Sequence, residues 1–148
     1  MAKHQNKNDC DACLDLIVKY PGFHQNLKAW FLMMRGKFPV LHCSEAGRGQ
    51  ARQILMYQEK KSRARFGESA HSWGCAIDVF IMAPGLDLYD RAWFEKHFAP
   101  EVPDFLEWYG APGSKFYERA HVQVRNWKML AATGEVKLVE TLKETKIA

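Results

Sequence analysis

No stretch of this 148-residue chain stays apolar for long. The longest such run, Ala29-Trp30-Phe31-Leu32-Met33-Met34, falls far short of the ~20 residues that a membrane-spanning helix requires, so no transmembrane segment is expected. The N-terminal residues Met1 to Asp9 include basic side chains but no apolar core follows them, so no secretory signal is read there and synthesis in a cytoplasm is expected. There is no internal repeat and no low-complexity tract, which excludes solenoid and disordered architectures. What remains is ordinary for a soluble globular protein, with 47% apolar and 26% charged residues. A single domain over residues 1–148 with a real core is expected.

Charge is only mildly one-sided, with a formal net of +4. Lys60-Lys61-Ser62-Arg63-Ala64-Arg65 concentrates much of it. Such a cluster suits a nucleic-acid patch, attraction to an anionic wall or membrane surface, or the polar end of a helix and its following loop. The last is preferred, and no nucleic-acid partner is expected.

Cysteines are few. Cys10-Asp11-Ala12-Cys13 has the spacing of half a structural zinc site or of a redox pair, but there is no second C-x-x-C and no preceding strand. The preferred reading is an N-terminal helix with small buried thiols. Cys43 ends an apolar run, Cys75 sits in a tight turn, and all four are expected to be free thiols. His4, His24, His42 and His97 are read as ordinary core or surface residues.

The chemistry concentrates in Ser69-Ala70-His71-Ser72-Trp73-Gly74-Cys75-Ala76-Ile77-Asp78. An imidazole and a carboxylate stand seven residues apart there, and about forty residues later Glu118-Arg119-Ala120-His121 adds a carboxylate three residues before a second histidine. Two histidines and one carboxylate make a zinc shell that leaves one position open, and a further carboxylate can serve as general base. His71 and Asp78 cannot be neighbours on one helix, because seven residues rise about 10 Å; a turn is needed, and Gly74 permits it. Ala76 to Ile81 reads as a buried strand interrupted by Asp78, whose carboxylate requires a cationic partner. His121-Val122-Gln123-Val124-Arg125 alternates, so His121, Gln123 and Arg125 share one face and Val122 and Val124 the other. Two adjacent strands can thus present Asp78 and His121 to one ion.

These residues resemble the zinc peptidase family of D-Ala-D-Ala carboxypeptidases and dipeptidases, which includes phage L-alanyl-D-glutamate endolysins. Its S-x-H-x-x-G-x-A-x-D motif is met by Ser69, His71, Gly74, Ala76 and Asp78, and its E-x-x-H by Glu118 and His121. An upstream G-x-R-S-x-x-x-Q-like segment is matched in part by Gly47-Arg48 and Gln53, with Gly47 directly before Arg48 and Gly49 where serine is common. The similarity spans roughly residues 40–126. It implies His71, Asp78 and His121 as ligands of one Zn2+, Glu118 as general base, Arg48 as partner of a substrate carboxylate or developing oxyanion, and Ser69 and Gln53 as substrate-side residues. It implies an α+β fold, a small antiparallel sheet flanked by helices of the Hedgehog/D,D-peptidase type. The expected activity is hydrolysis of a bond in the bacterial peptidoglycan stem peptide. L-alanyl-D-glutamate endopeptidase action as a phage endolysin comes first, D-Ala-D-Ala carboxypeptidase action second, and a non-catalytic zinc-containing binding module is the alternative of another class. A monomer is expected, held in the host cytoplasm before release to the wall.

Helices are expected at 11–19, 23–35, 50–62, 91–98, 103–110, 127–132 and 135–146, and strands at 39–43, 76–81 and 116–125. Trp73 is left open between the cleft and the core.

Overall fold

The computed structural model describes residues 3–7, 10–17, 23–47, 54–55, 57–60, 68–111, 118 and 120–139. Its centre is a four-stranded, wholly antiparallel sheet of β1 (Leu41–Glu45), β2 (Ala76–Ile81), β3 (Leu106–Trp108) and β4 (His121–Val124), in the order β1-β2-β4-β3. The expected α+β class and small antiparallel sheet are therefore observed. Helices α1 (Asp11–Ile17), α2 (Gln25–Lys37) and α3 (Trp127–Thr133) surround it.

Side-chain alternation explains β2. Ile77, Val79 and Ile81 have no exposed surface and join the core, whereas Asp78 and Phe80 are partly buried on the opposite face. Helix α2 adds Leu27, Trp30, Phe31 and Met34 to that core. The stretch 91–98 is helical as expected but uneven: a turn at Arg91–Trp93 widens into a π-type turn at Phe94–Phe98. Phe94 and Phe98 both pack on Trp108, with ring centroids 5.8 and 5.2 Å apart.

Three expected elements are corrected. The helix read at 103–110 is strand β3, because Leu106 and Trp108 alternate inward and pair with Val124 and Val122. Of the strand read at 116–125, residues 121–124 are strand and Glu118 lies before them, its N–H bonding the Tyr109 carbonyl at 3.1 Å, while 116–117 and 119 lie outside the described residues. Residues 135–139 are not helical: Gly134, in a left-handed conformation at φ 79°, ends α3. The chain then lays Val136 and Val139 inward, and the Val139 N–H bonds the Ser72 carbonyl at 2.8 Å. Of the helix read at 50–62, residues 54–55 and 57–58 are helical, but 59–60 form a turn, with Lys60 at a positive φ of 59°, so the described helix stops before 59. Residues 50–53, 56 and 61–62 lie outside the described residues, as do most of the basic cluster and the Pro21-Gly22 break.

Gly110 is fixed by packing. A Cβ built there would stand 2.5 Å from Cε2 and Cζ2 of Trp108, a ring packed on both Phe94 and Phe98. Gly110→Ala is expected to lower stability by about 1–3 kcal/mol through overpacking. Urea denaturation of the variant beside the parent chain measures it, and an unchanged midpoint would show that the ring yields.

Candidate active site

The ten-residue motif folds as its composition demands. Ser69 begins a 3-10 turn, Ala70–Trp73, by accepting the His71 N–H on its Oγ at 3.2 Å. Gly74, at φ 66° and ψ 25°, closes the turn, a conformation costly for residues with a Cβ. The chain then reverses directly into β2, which carries Asp78 back beneath His71. On the other side of β2, Asp78 and His121 are direct partners across the β2–β4 ladder. Residues remote in sequence thus meet through one turn and one strand pairing.

The geometry is that of three converging ligands. His71 Nε2 lies 3.2 Å and His121 Nδ1 3.3 Å from the same oxygen, Oδ1 of Asp78. One ligand atom from each residue lies within 4.8 Å of the others, so this is a group that could hold a metal ion. Nitrogen and oxygen ligands about 2.0–2.1 Å from a tetrahedral ion stand about 3.4 Å apart, close to both separations.

The protonation pattern also fits. The second nitrogen of each ring is occupied: His71 Nδ1 bonds the Ala46 carbonyl at 2.7 Å and His121 Nε2 bonds Gln123 Oε1 at 2.8 Å. Both acceptors require N–H donors. The Gln123 amide is oriented in turn by its Nε2, which donates to Glu107 Oε1 at 2.8 Å. In the neutral rings, lone pairs therefore point from His71 Nε2 and His121 Nδ1 at an anionic oxygen, an arrangement that only a proton or a metal cation makes favourable. Burial opposes ionisation of Asp78, but the facing imidazoles, in their cationic donating form, outweigh it and hold the carboxyl well below the usual range. Burial likewise opposes the charged form of His121, yet its bond to Asp78 raises the ring's pKa.

Glu118 is exposed at the entrance to β4. Its charge acts on both His121 and Tyr109, and the Tyr109 ring lies 4.7 Å from the His121 ring. Ser69 is half-buried beside His71. Trp73 is partly buried against the core. Arg48 and Gln53 lie outside the described residues.

Two supports escape a reading of single residues. The Ala46 carbonyl carries no side-chain signal. Gln123 does carry one: it is two residues beyond His121 on the same strand face, where a side-chain carbonyl can reach the imidazole. Gln123→Leu is expected to weaken metal binding about 10–100-fold while the fold survives. Competition with a chelating dye reads this, and unchanged affinity would make Gln123 a packing residue only.

No protein-family model matches the chain, and comparison with curated proteins finds no relative. Solved structures do resemble it. The L-Ala D-Glu endopeptidase ChiX of Serratia marcescens superposes with a TM-score of 0.62 and 22% identity, over 82% of this chain and 92% of that one. The vancomycin-resistance D,D-dipeptidase VanXYg, solved with a D-Ala-D-Ala phosphinate analog, gives 0.50 and 14%, over 99% and 70%. The chain thus shares the fold of these peptidases, the Hedgehog/D,D-peptidase arrangement expected from the motif.

Proposed function

We propose that this chain is a zinc-dependent peptidoglycan peptidase that hydrolyses a stem-peptide bond. The observation that carries the proposal is the convergence of His71 Nε2, His121 Nδ1 and Asp78 Oδ1, each imidazole already anchored through its other nitrogen. A purely structural ion pair has no need of two imidazoles with lone pairs aimed at one carboxylate oxygen. Likeness of fold to an L-Ala D-Glu endopeptidase and a D,D-dipeptidase supports the same chemistry.

His71, Asp78 and His121 would hold the zinc ion, which supplies polarisation of the scissile carbonyl and a water acidified toward neutrality. The chain's own residues do the rest. Glu118, exposed on the approach to His121, takes a proton from the attacking water as its oxygen bonds to the carbonyl carbon. The carbon–nitrogen bond then breaks, and Glu118 returns that proton to the leaving amine. Arg48 is assigned to a substrate carboxylate or to the negative charge growing on the carbonyl oxygen. Ser69 uses its oxygen as acceptor for the His71 N–H, which leaves its hydroxyl hydrogen free to meet the substrate. Gln53 is assigned to the same substrate side.

The preferred bond is L-alanyl-D-glutamate, cleaved by an endolysin acting as a monomer on the wall; D-Ala-D-Ala carboxypeptidase action is second. A non-catalytic binding module has no use for a carboxylate at Glu118. Synthetic stem peptides distinguish the two cleavages. Release of an N-terminal L-Ala fragment identifies the endopeptidase, and loss of only the terminal D-Ala identifies the carboxypeptidase.

A further inference from the structure

A second group of ligand-bearing side chains lies away from His71, Asp78 and His121. His4, Cys10, Cys13 and His42 each offer one ligand atom, and these four atoms lie within 4.8 Å of one another. Cys10 and Cys13 flank the start of α1, His42 belongs to β1, and His4 comes from the segment before the helix. The C-x-x-C finds its missing half not in another cysteine pair but in two histidines, one six residues before it and one 29 residues after it.

The spacing is that of a coordination shell. Cys10 Sγ and Cys13 Sγ stand 3.7 and 3.6 Å from His4 Nδ1, and Cys13 Sγ stands 3.5 Å from His42 Nδ1. Zinc–sulfur bonds of about 2.3 Å and zinc–nitrogen bonds of about 2.0–2.1 Å put tetrahedral sulfur and nitrogen ligands about 3.5 Å apart.

Outer contacts prepare the same shell. His42 Nε2 bonds Asn6 Oδ1 at 2.8 Å, and Asn6 Nδ2 donates to the Met82 carbonyl at 2.8 Å. The second bond fixes which end of the amide faces the ring. His42 therefore carries its proton on Nε2 and turns the Nδ1 lone pair toward Cys13. Backbone N–H groups point at both sulfurs, Gln5 at Cys10 (3.2 Å) and Cys43 at Cys13 (3.3 Å). Such donors favour thiolates, the form that binds metal, and at Cys13 they offset part of the burial that otherwise pushes its thiol up. Arg35, buried in α2, bonds the carbonyls of Gln5, Lys7, Pro39 and Leu41, and so ties residues 5–7 to the start of β1.

We propose that His4, Cys10, Cys13 and His42 form a second, structural metal site for a tetrahedral thiophilic divalent cation of the zinc class. All four protein ligands are supplied, so no position remains open for substrate, as in structural rather than catalytic zinc sites. Two thiolates also neutralise the ion. The site closes the N-terminal segment onto β1, an edge strand, and borders the catalytic face: His4 and His42 pack on Phe80, which is two residues from Asp78 on the same side of β2.

The test uses the full chain, purified under reduction, with metal measured by mass spectrometry and cobalt substituted for zinc. About two ions per chain are expected, and about one in Asp78→Ala, which leaves the four-residue cluster intact. The cobalt form of both proteins is expected to show sulfur-to-metal charge-transfer absorption, which ligands from imidazole and carboxylate alone cannot give. Cys10→Ser with Cys13→Ser is expected to lose that absorption and one ion. If the double variant fails to fold, Asp78→Ala still decides the matter, because its only bound ion would be the thiolate-ligated one. Lack of thiolate absorption in the parent and in Asp78→Ala overturns the proposal. So does a Cys10–Cys13 disulfide in the native chain, or a metal-free cluster held by thiol–imidazole hydrogen bonds.

Discussion

Glu118→Gln is expected to lower the turnover of stem-peptide hydrolysis by about two to four orders of magnitude, the range for loss of a positioned general base. The substitution keeps the shape and polarity of the side chain but removes its ability to take a proton. Glu118 is exposed and contributes to the described hydrogen bonds through its backbone, so the fold should survive. Metal content should also survive, because none of the three converging ligand atoms belongs to it. Steady-state kinetics with metal analysis on the same sample separates the effects. Loss of activity with full metal content assigns the base. Retained activity would move the proton transfer to another group and reduce Glu118 to a solvated charge near His121.

Asp78→Ala should act by a different route. Its Oδ1 is the point on which both imidazoles converge, and its backbone is paired with His121 in the ladder. Without the carboxylate, two neutral imidazoles remain and the ligand set loses its only negative charge. Affinity at this site is expected to fall by more than about 100-fold, beyond the cost of losing an outer support. Hydrolysis should fall with it and recover in part at high zinc concentration. A variant that binds metal at this site as the parent does would show that Asp78 is the imidazoles' ion-pair partner and not a ligand.

The convergence of His71, Asp78 and His121 was legible because two short motifs carry these residues and simple rules of turn and strand geometry bring them together. Gly74 between His71 and Asp78 announces the turn, and alternation along 121–125 announces which residues share a face. The direct pairing of Asp78 with His121 brings the candidate ligands of two adjacent strands side by side. What could not be read is what depends on backbone atoms or on long-range partners. The Ala46 carbonyl that orients His71 has no residue-type signal. The segment at 103–110 shows a proline followed by mixed residues, which suits a helix start as well as an edge strand. Only the pairing of Leu106 with Val124 and Trp108 with Val122 decides for the strand. The cysteines show the same limit. Cys10 and Cys13 are free and buried as expected, but His42 reaches Cys13 only because β1 runs beside α1. No spacing rule links a C-x-x-C to a histidine 29 residues away.

The most direct test of the proposed activity is digestion of purified peptidoglycan by the zinc-loaded chain, with and without a chelator, reading the new termini by mass spectrometry. Zinc-dependent release of peptides with a new D-Glu amino terminus, abolished by chelation and absent with Glu118→Gln, is the expected result. No new terminus from a protein shown to carry zinc at His71, Asp78 and His121 would contradict it.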